Sequence, residues 1–295
     1  MDIRVLRYFI AAAETENITK AAELLHITQP TLSRQFMDLE EELGHKLFIR
    51  SNRKLRLTTK GQLFYTRAKD IVDLCDRTKR EIIEEDELAG EIRIAAGETG
   101  ALKTFARALK RLRQTAPKVR FDIISGAELT VKNELQSGLA DLGVFIGTAD
   151  TTEYSTIKLK SRDTWGILSR IDGPFAGMDK VEAKDLIGKP IICSSQSFRR
   201  DEFSAWMRNI SGDIHVIGTF NLLYNAYLLA EAGLGHVLAL KSVINPQPDS
   251  GVMWLPIYPT LKADVVVAWS KNKRLTKPVQ LFLDYLRDEE NNLLG

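Results

Sequence analysis

Between Thr28 and Gln35 the chain reads Thr-Gln-Pro-Thr-Leu-Ser-Arg-Gln, a helix start followed by side chains able to read a base edge. Thr28 can cap a helix, and Pro30 suits its first turn, where amides have no intrahelical partner. Arg34 carries the fork for a bidentate bond to guanine, Gln29 can pair with adenine, and Thr31 can meet a thymine methyl. Ser33 and the helix amides suit phosphate. The bland alternative for all five is a solvated helix face. A second group, Arg50, Arg53 and Lys54, favours an anion partner, because residues 43–60 hold six basic side chains and no acidic one. The chain as a whole is balanced, with 41 Lys and Arg against 39 Asp and Glu and a net charge of +2. A basic strip on a balanced chain marks a localised contact with a polyanion.

Other chemistry is weakly represented. Cys193 with His215 or His236 offers a nucleophile and a base, but no third group to orient them. The four histidines (His26, His45, His215, His236) show no metal-ligand spacing, and Gly233-Leu234-Gly235 lacks the third glycine and downstream acid of a dinucleotide site. No enzyme activity and no cofactor are therefore expected. Cys75 and Cys193 are too few for a disulfide scaffold, which suits a reducing cytoplasm. The apolar run 8–13 is cut by Glu14 and Glu16, so it reads as a helix and not an export signal, and no run is long enough to span a bilayer.

These side chains need positioning elements. Leu6, Phe9, Ile10 and Ala13 predict a helix over 3–15. Asn17 or Thr19 caps a second over 20–25, and a third is lined by Leu32, Phe36, Leu39 and Leu43 and ended by Gly44. Two short helices with a tight connection, the second polar outside, describe a helix-turn-helix. Residues 47–50 and 55–57 predict a hairpin whose tip carries the basic cluster, a wing. From 59 to 88 there is no proline, and Phe64, Ala68, Ile71, Cys75, Thr78 and Ile82 alternate spacings of 4 and 3, a seam suited to pairing with another helix, either in a dimer coiled coil or buried on its own domain. Beyond Gly90, strands at 92–96, 119–124 and 142–146 alternate with helices at 102–114 and 129–136, which predicts parallel βαβ units. A second set places strands at 165–168, 190–193, 215–220 and 236–240, with helices at 203–207 and 222–231, then a strand at 264–269 and a helix at 277–287. Two such units leave a crevice suited to a small ligand.

The segment Thr28–Gln35, then Leu39-Glu40 with Leu43-Gly44, Leu47-Phe48 with Arg50, and Leu57-Thr58 with Gly61, resembles the LysR-type transcriptional regulators. Ala21-Ala22 and Leu24-Leu25 fit that pattern. Gly138 with Asp141, and Gly233 and Gly235 before an apolar strand, resemble the family's effector domain, and the fit in length and order covers the whole chain.

The resemblance implies an α/β multidomain chain. A mainly α winged helix-turn-helix would span 1–58 and a long dimerising linker helix 59–89. A two-lobed α/β domain like a periplasmic binding protein would span 90–295, with lobe I at 90–161 and 269–295 and lobe II at 162–268. It implies a homodimer or homotetramer that binds double-stranded promoter DNA at interrupted palindromes, responds to a small polar or anionic metabolite, engages RNA polymerase if it activates, and needs no membrane. Gln29, Pro30, Thr31, Ser33, Arg34, Arg50, Arg53 and Lys54 would meet DNA, and Phe64, Ala68, Ile71, Cys75 and Ile82 a second copy. The cleft would be lined from strand-to-helix turns by Glu98, Thr99, Gly100, Ser125 and Glu128, with Phe145, and from the other lobe by Ser194, Ser195, Phe198, Arg200, Phe220 and Asn221. Glu98 and Glu128 stand where many members carry small hydroxyl residues. Read without the resemblance, the alternative is a cytoplasmic small-molecule-binding or enzymatic α/β protein with a dimerising helical N-terminus.

Overall fold

The computed structural model describes residues 1–50, 54–83, 88–147, 149–195, 206, 214–247 and 249–292, and it divides into two compact units, Met1–Ile83 and Glu84–Gly295. The side chains of residues 50, 81 and 83 lie outside the described set. In the first unit, α1 (Ile3–Thr15), α2 (Ile18–Leu24) and α3 (Gln29–Leu43) are each started by a polar cap. Asp2 accepts from the amide of Arg4, Asn17 from those of Thr19 and Lys20, and Thr28 from that of Thr31. Gly44, at φ 67°, ends α3 in the left-handed conformation that favours glycine. The antiparallel pair β1 (Phe48–Arg50) and β2 (Leu55–Leu57) follows, then α4 (Thr59–Ile83). Phe9 is fully buried where the rings of Phe36, Phe48 and Phe64 meet it, with centroids 6.2, 4.7 and 4.8 Å away. Four aromatic rings from four elements thus close the core of a small domain.

The second unit contains two sheets. The first lobe is built from β3 (Gly90–Ala96), α5 (Leu102–Thr115), β4 (Val119–Ser125), α6 (Glu128–Gln136), β5 (Leu142–Ile146) and β6 (Tyr154–Lys158). The second holds β7 (Asp163–Arg170), β8 (Val181–Glu182), β9 (Pro190–Ser194), β10 (His215–Phe220), α7 (Leu223–Glu231), β11 (His236–Leu240), β12 (Val252–Tyr258) and β13 (Lys262–Ala263). The chain then returns to the first lobe with β14 (Val265–Ser270) and α8 (Lys277–Asn292). Strand order is β4-β3-β5-β14-β6 in one sheet and β10-β9-β11-β7-β12-β8 in the other, with β13 on β7. Strands β3, β4 and β5 run parallel, as do β9, β10 and β11, so their C-terminal ends and following turns share one edge.

Several expectations change here. The alternation does not give purely parallel sheets: β14 runs antiparallel to β5 and β6, and β7 antiparallel to β11 and β12. Strands β6 and β12 were not anticipated. The first alternates buried and outward residues, and the second contains Pro256, which reads against a strand. It is tolerated because β8 pairs only with Ile257 and Tyr258, leaving β12 an edge at Pro256. Since β14 lies wholly in the first sheet, the return crossing falls at Asp264 rather than at 268/269. The helix expected at 203–207 lies outside the described residues apart from Trp206, which is helical.

Candidate functional site

The outer face of α3 carries Pro30, Thr31 and Arg34, all exposed, and Arg34 makes no ion pair among the described residues. Thr31 and Thr28 share a hydroxyl hydrogen bond of 2.8 Å, which fixes the first turn. Gln29 is half-buried, and its Nε2 donates to Ser33 Oγ at 2.7 Å. Ser33 therefore does not stand ready for phosphate, because it shares the inward face of α3 with Phe36 and Glu40. In the wing, Lys54 is exposed and lies 3.7 Å from Glu16, Arg53 falls outside the described residues, and Arg50 sits on β1 with its side chain outside them.

The wing is held against α3 by a group that sequence reasoning treated only as part of a motif. Glu40 is 4% exposed, and its carboxylate accepts from the amides of Leu47 (2.8 Å) and Phe48 (3.1 Å) and from Lys46 Nζ (2.8 Å). Burial pushes this carboxyl up, but Lys46 and the two amides outweigh it and leave the group below its ordinary range. Gly61 completes the arrangement, since a Cβ there would stand 2.0 Å from the carbonyl oxygen of Leu47.

The seam expected on α4 divides. Ala68 is 1% exposed and packs with Leu6 and Val72, with Phe64, Ile3 and Ile10 around them, so Phe64 and Ala68 belong to the contact between α4 and α1. A strict 3.5-residue repeat drifts around a straight helix of 3.6 residues per turn, and its first members fall on α1. Ile71 (43% exposed), Leu74 (40%) and Ile82 (69%) remain as an outward apolar face, with Cys75 half-buried beside it.

In the two-lobed unit, the turns after β3 and β4 lie side by side, joined where the Gly126 amide donates to the Ala96 carbonyl at 3.0 Å. Facing them are the ends of β9 and β10, where Ser194 and Phe220 are register partners and the Ser195 amide donates to the Phe220 carbonyl at 3.0 Å. Thr99 and Gly100 do not present free donors to this cleft. Asp163, 3% exposed at the start of β7, accepts from Thr99 Oγ1 (3.2 Å) and the Gly100 amide (3.3 Å). It also accepts from the Thr164 amide (3.0 Å) and from Ser242 through its hydroxyl (2.6 Å) and amide (3.3 Å). Glu98 reaches the other lobe, where its Oε2 accepts from the Leu223 amide at 2.6 Å.

The remaining cleft candidates are spread out. Ser125 is exposed, Glu128 pairs with Lys132 at 3.1 Å, and Asn221 accepts from the Leu222 amide at 3.0 Å. Phe145 is not a cleft residue: at 1% exposure it packs with Val131, Leu135 and Tyr154, because alternate side chains of β5 point to opposite faces. Phe198 and Arg200 lie outside the described residues. Sequence reasoning missed Asp163, Ser242 and Leu223. A lone Asp before an apolar strand carried no signal.

The imagined nucleophile and base are engaged otherwise. Burial pushes the Cys193 thiol up to about 11, far from a thiolate at neutral pH. His236 Nδ1 meets Ser169 Oγ at 2.9 Å, and its ring stands edge-on to Phe175. Among the described residues there is no cluster of three or more His, Cys, Asp or Glu placed to hold a metal. No helix of the described residues is long and apolar enough to cross a membrane.

A first lobe surface also stands out. Helix α5 and edge strand β4 flank a hollow of about 310 Å³ lined by Phe105, Leu109, Phe121 and Ile123 among others, with Phe121 48% and Ile123 40% exposed.

Comparison with known proteins gives two family matches that together span most of the chain. Residues 3–62 match the bacterial regulatory helix-turn-helix protein, lysR family, and residues 85–291 match the LysR substrate binding domain. The HTH-type transcriptional regulator ClcR of Pseudomonas putida is 35% identical over 257 residues, 85% of this chain and 87% of that protein. The Hca operon transcriptional activator HcaR of Escherichia coli is 25% identical over 280 residues, 92% of this chain and 93% of that one. The crystal structure of full-length CbnR complexed with its target DNA superimposes with a TM-score of 0.74 at 20% identity, covering 98% of this chain and 100% of CbnR, a likeness of fold.

Proposed function

Because this chain belongs to the LysR family of DNA-binding transcriptional regulators, which are not enzymes, we propose that it binds double-stranded promoter DNA as a homo-oligomer and changes that binding, or the bend it imposes, when a small effector occupies the two-lobed unit. The observation that carries the DNA half is the first turn of α3. Its polar cap, exposed Thr31 and Arg34 and an adjoining wing anchored by Glu40 form a rigid, basic-flanked edge of a size that enters a major groove. Arg50, Arg53 and Lys54 would follow the phosphates beside it.

The outward apolar face of α4, through Ile71, Cys75 and Ile82, supports pairing with a second copy, as two half-sites require two-fold symmetry. The hollow at α5 and β4 supports a further self-contact in a tetramer, since an exposed apolar edge strand calls for cover. Turns from both lobes supply the polar lining for a small metabolite. Work in the cytoplasm, and contact with RNA polymerase if the protein activates, complete the reading.

Footprinting on DNA upstream of its own coding region, repeated over a salt series, tests it. A protected palindrome with a steep fall of affinity in salt is expected. Binding that ignores sequence and salt would overturn it.

A further inference from the structure

A single residue joins α1 to α2. Thr15 ends the first helix and Asn17 caps the second, so Glu16 alone makes the connection, at φ 49° and ψ 21°. That left-handed conformation costs a residue with a Cβ, whereas glycine adopts it freely. The Glu16 carbonyl has a structural duty: it accepts from the amide of Leu55, the first residue of β2, at 2.9 Å. Any residue, glycine included, supplies that carbonyl. The turn therefore does not account for the carboxylate. Among the described residues this carboxylate makes one ion pair, to Lys54 Nζ at 3.7 Å, and both side chains are more than half exposed. Its neighbour Glu14 is engaged by α4, where Tyr65 Oη donates to it at 2.9 Å and Lys69 Nζ lies 3.6 Å away. The fold thus brings one carboxylate from α1 against a wing whose own strip, residues 43–60, holds six basic side chains and no acidic one.

We propose that Glu16 is a built-in competitor for DNA phosphate: it holds Lys54 against the turn between α1 and α2 in the free chain, and a phosphate takes Lys54 by displacing it. The proposal rests on the reading of Lys54 as a phosphate contact and adds what occupies that cation beforehand. A carboxylate and a phosphate oxygen make the same kind of charge-assisted bond to an ammonium, so one is exchanged for the other when a duplex arrives. The exchange involves phosphate and no base, so it acts on every DNA sequence alike. An exposed pair is weak, and the competition therefore trims affinity without blocking it. What it trims is the sequence-independent component, which phosphate contacts supply. A wing cation that is spoken for until phosphate is in reach keeps loose binding to bulk DNA in check.

The test uses the full-length protein and a random-sequence duplex as the probe, and needs no identified operator. Affinity is titrated at several salt concentrations for wild type, Glu16→Gln, Lys54→Ala and the double variant. Glu16→Gln keeps the size of the side chain and removes its charge. It should bind about two- to fivefold tighter at low salt, the range set by one exposed ion pair, with a salt slope steeper by up to about one. Lys54→Ala should bind more weakly, and adding Glu16→Gln to it should change affinity little, because the competitor then has no cation to hold. Glu16→Gly removes the carboxylate and suits the left-handed turn. It should show the same gain with a melting temperature no lower than that of wild type, which separates competition from damage to the turn. Unchanged or weaker binding by Glu16→Gln would overturn the proposal, weaker binding because Glu16 would then be positioning Lys54 for DNA. An equal gain with and without Lys54 would overturn it as well, since Glu16 would then repel the duplex directly. If Lys54→Ala binds as wild type does, the reading of Lys54 as a phosphate contact fails on its own arm of the cycle, and the competitor falls with it.

Discussion

The buried carboxylate of Glu40 accepts from the backbone nitrogen of Leu47 at 2.8 Å, so α3 itself fixes the root of the wing. The two surfaces proposed to contact DNA are thereby held in register by a buried side chain. Glu40→Ala strands the amides of Leu47 and Phe48 and should cost about 2–3 kcal/mol, read as a lower urea midpoint. Affinity for DNA should fall on specific and random sequences alike. Since its carboxyl is held below the ordinary 4.5, the stability Glu40 adds is full above that pH and is lost as pH falls through the lowered folded value. Glu40→Gln should flatten that acid limb.

Arg34 presents the opposite case, an exposed side chain with no ion pair among the described residues. Arg34→Ala should weaken operator binding by roughly 1–3 kcal/mol with little effect on random DNA. Lys54→Ala should instead lower affinity across sequences and reduce the salt slope by about one. A competition titration at several salt concentrations separates the two patterns.

On α4, Ile71→Glu places a charge on the outward face and should shift sedimentation at low protein concentration toward the monomer. Val72→Ala, one residue on, faces Leu6 and should lower thermal stability, by about 0.5–2 kcal/mol, without changing the oligomer at equal folded fraction. An unmoved sedimentation profile for Ile71→Glu would assign the principal interface elsewhere.

Thr99→Val deletes one of the five donors to Asp163, and should lower the stability of the two-lobed unit by about 1 kcal/mol in calorimetry. A response to effector that survives in this variant is the expected result, because the hydroxyl serves Asp163 and not the ligand.

Burial, with Lys189 adding to it, holds His236 below its ordinary 6.5. The unfolded chain then takes up a proton that the folded one refuses. Stability is unaffected well above 6.5 and falls as pH drops through that value. A plot of melting temperature against pH should show this slope, and His236→Gln should remove it.

The helix-turn-helix was legible because its signals are local. Asn17, Thr28 and Gly44 mark helix ends within a few residues of the atoms they satisfy, and Leu6 with Phe9 in α1, and Leu32, Phe36 and Leu39 in α3, recur at the helical period. The cleft was less legible for the converse reason. Thr99 and Asp163 are 64 residues apart, and Asp163 and Ser242 a further 79, so no spacing rule links the hydroxyl to its acceptor. A Thr-Gly turn after a strand looks alike whether its donors await a ligand or hold a neighbouring carboxylate. The α4 seam failed in part because the repeat that suits a partner helix also suits α1, and sequence alone does not say which arrives first.

The position of β14 sets an order of events during synthesis. It lies between β5 and β6, and α8 behind it supplies Phe282, Leu283 and Leu286 to the core around Phe105 and Ile92. When β3, β4, β5 and β6 have left the ribosome, their sheet still lacks an inner strand and a covering helix, and the chain must first produce the whole of residues 163–263. The second sheet is contiguous and can close as soon as β13 emerges. The lobe begun first is thus completed last, after a delay of several seconds at typical elongation rates of about 5–20 residues per second, with Val144 on β5 lacking its partner strand in the interval. For a nascent chain of this topology, that interval is when a chaperone has most to hold.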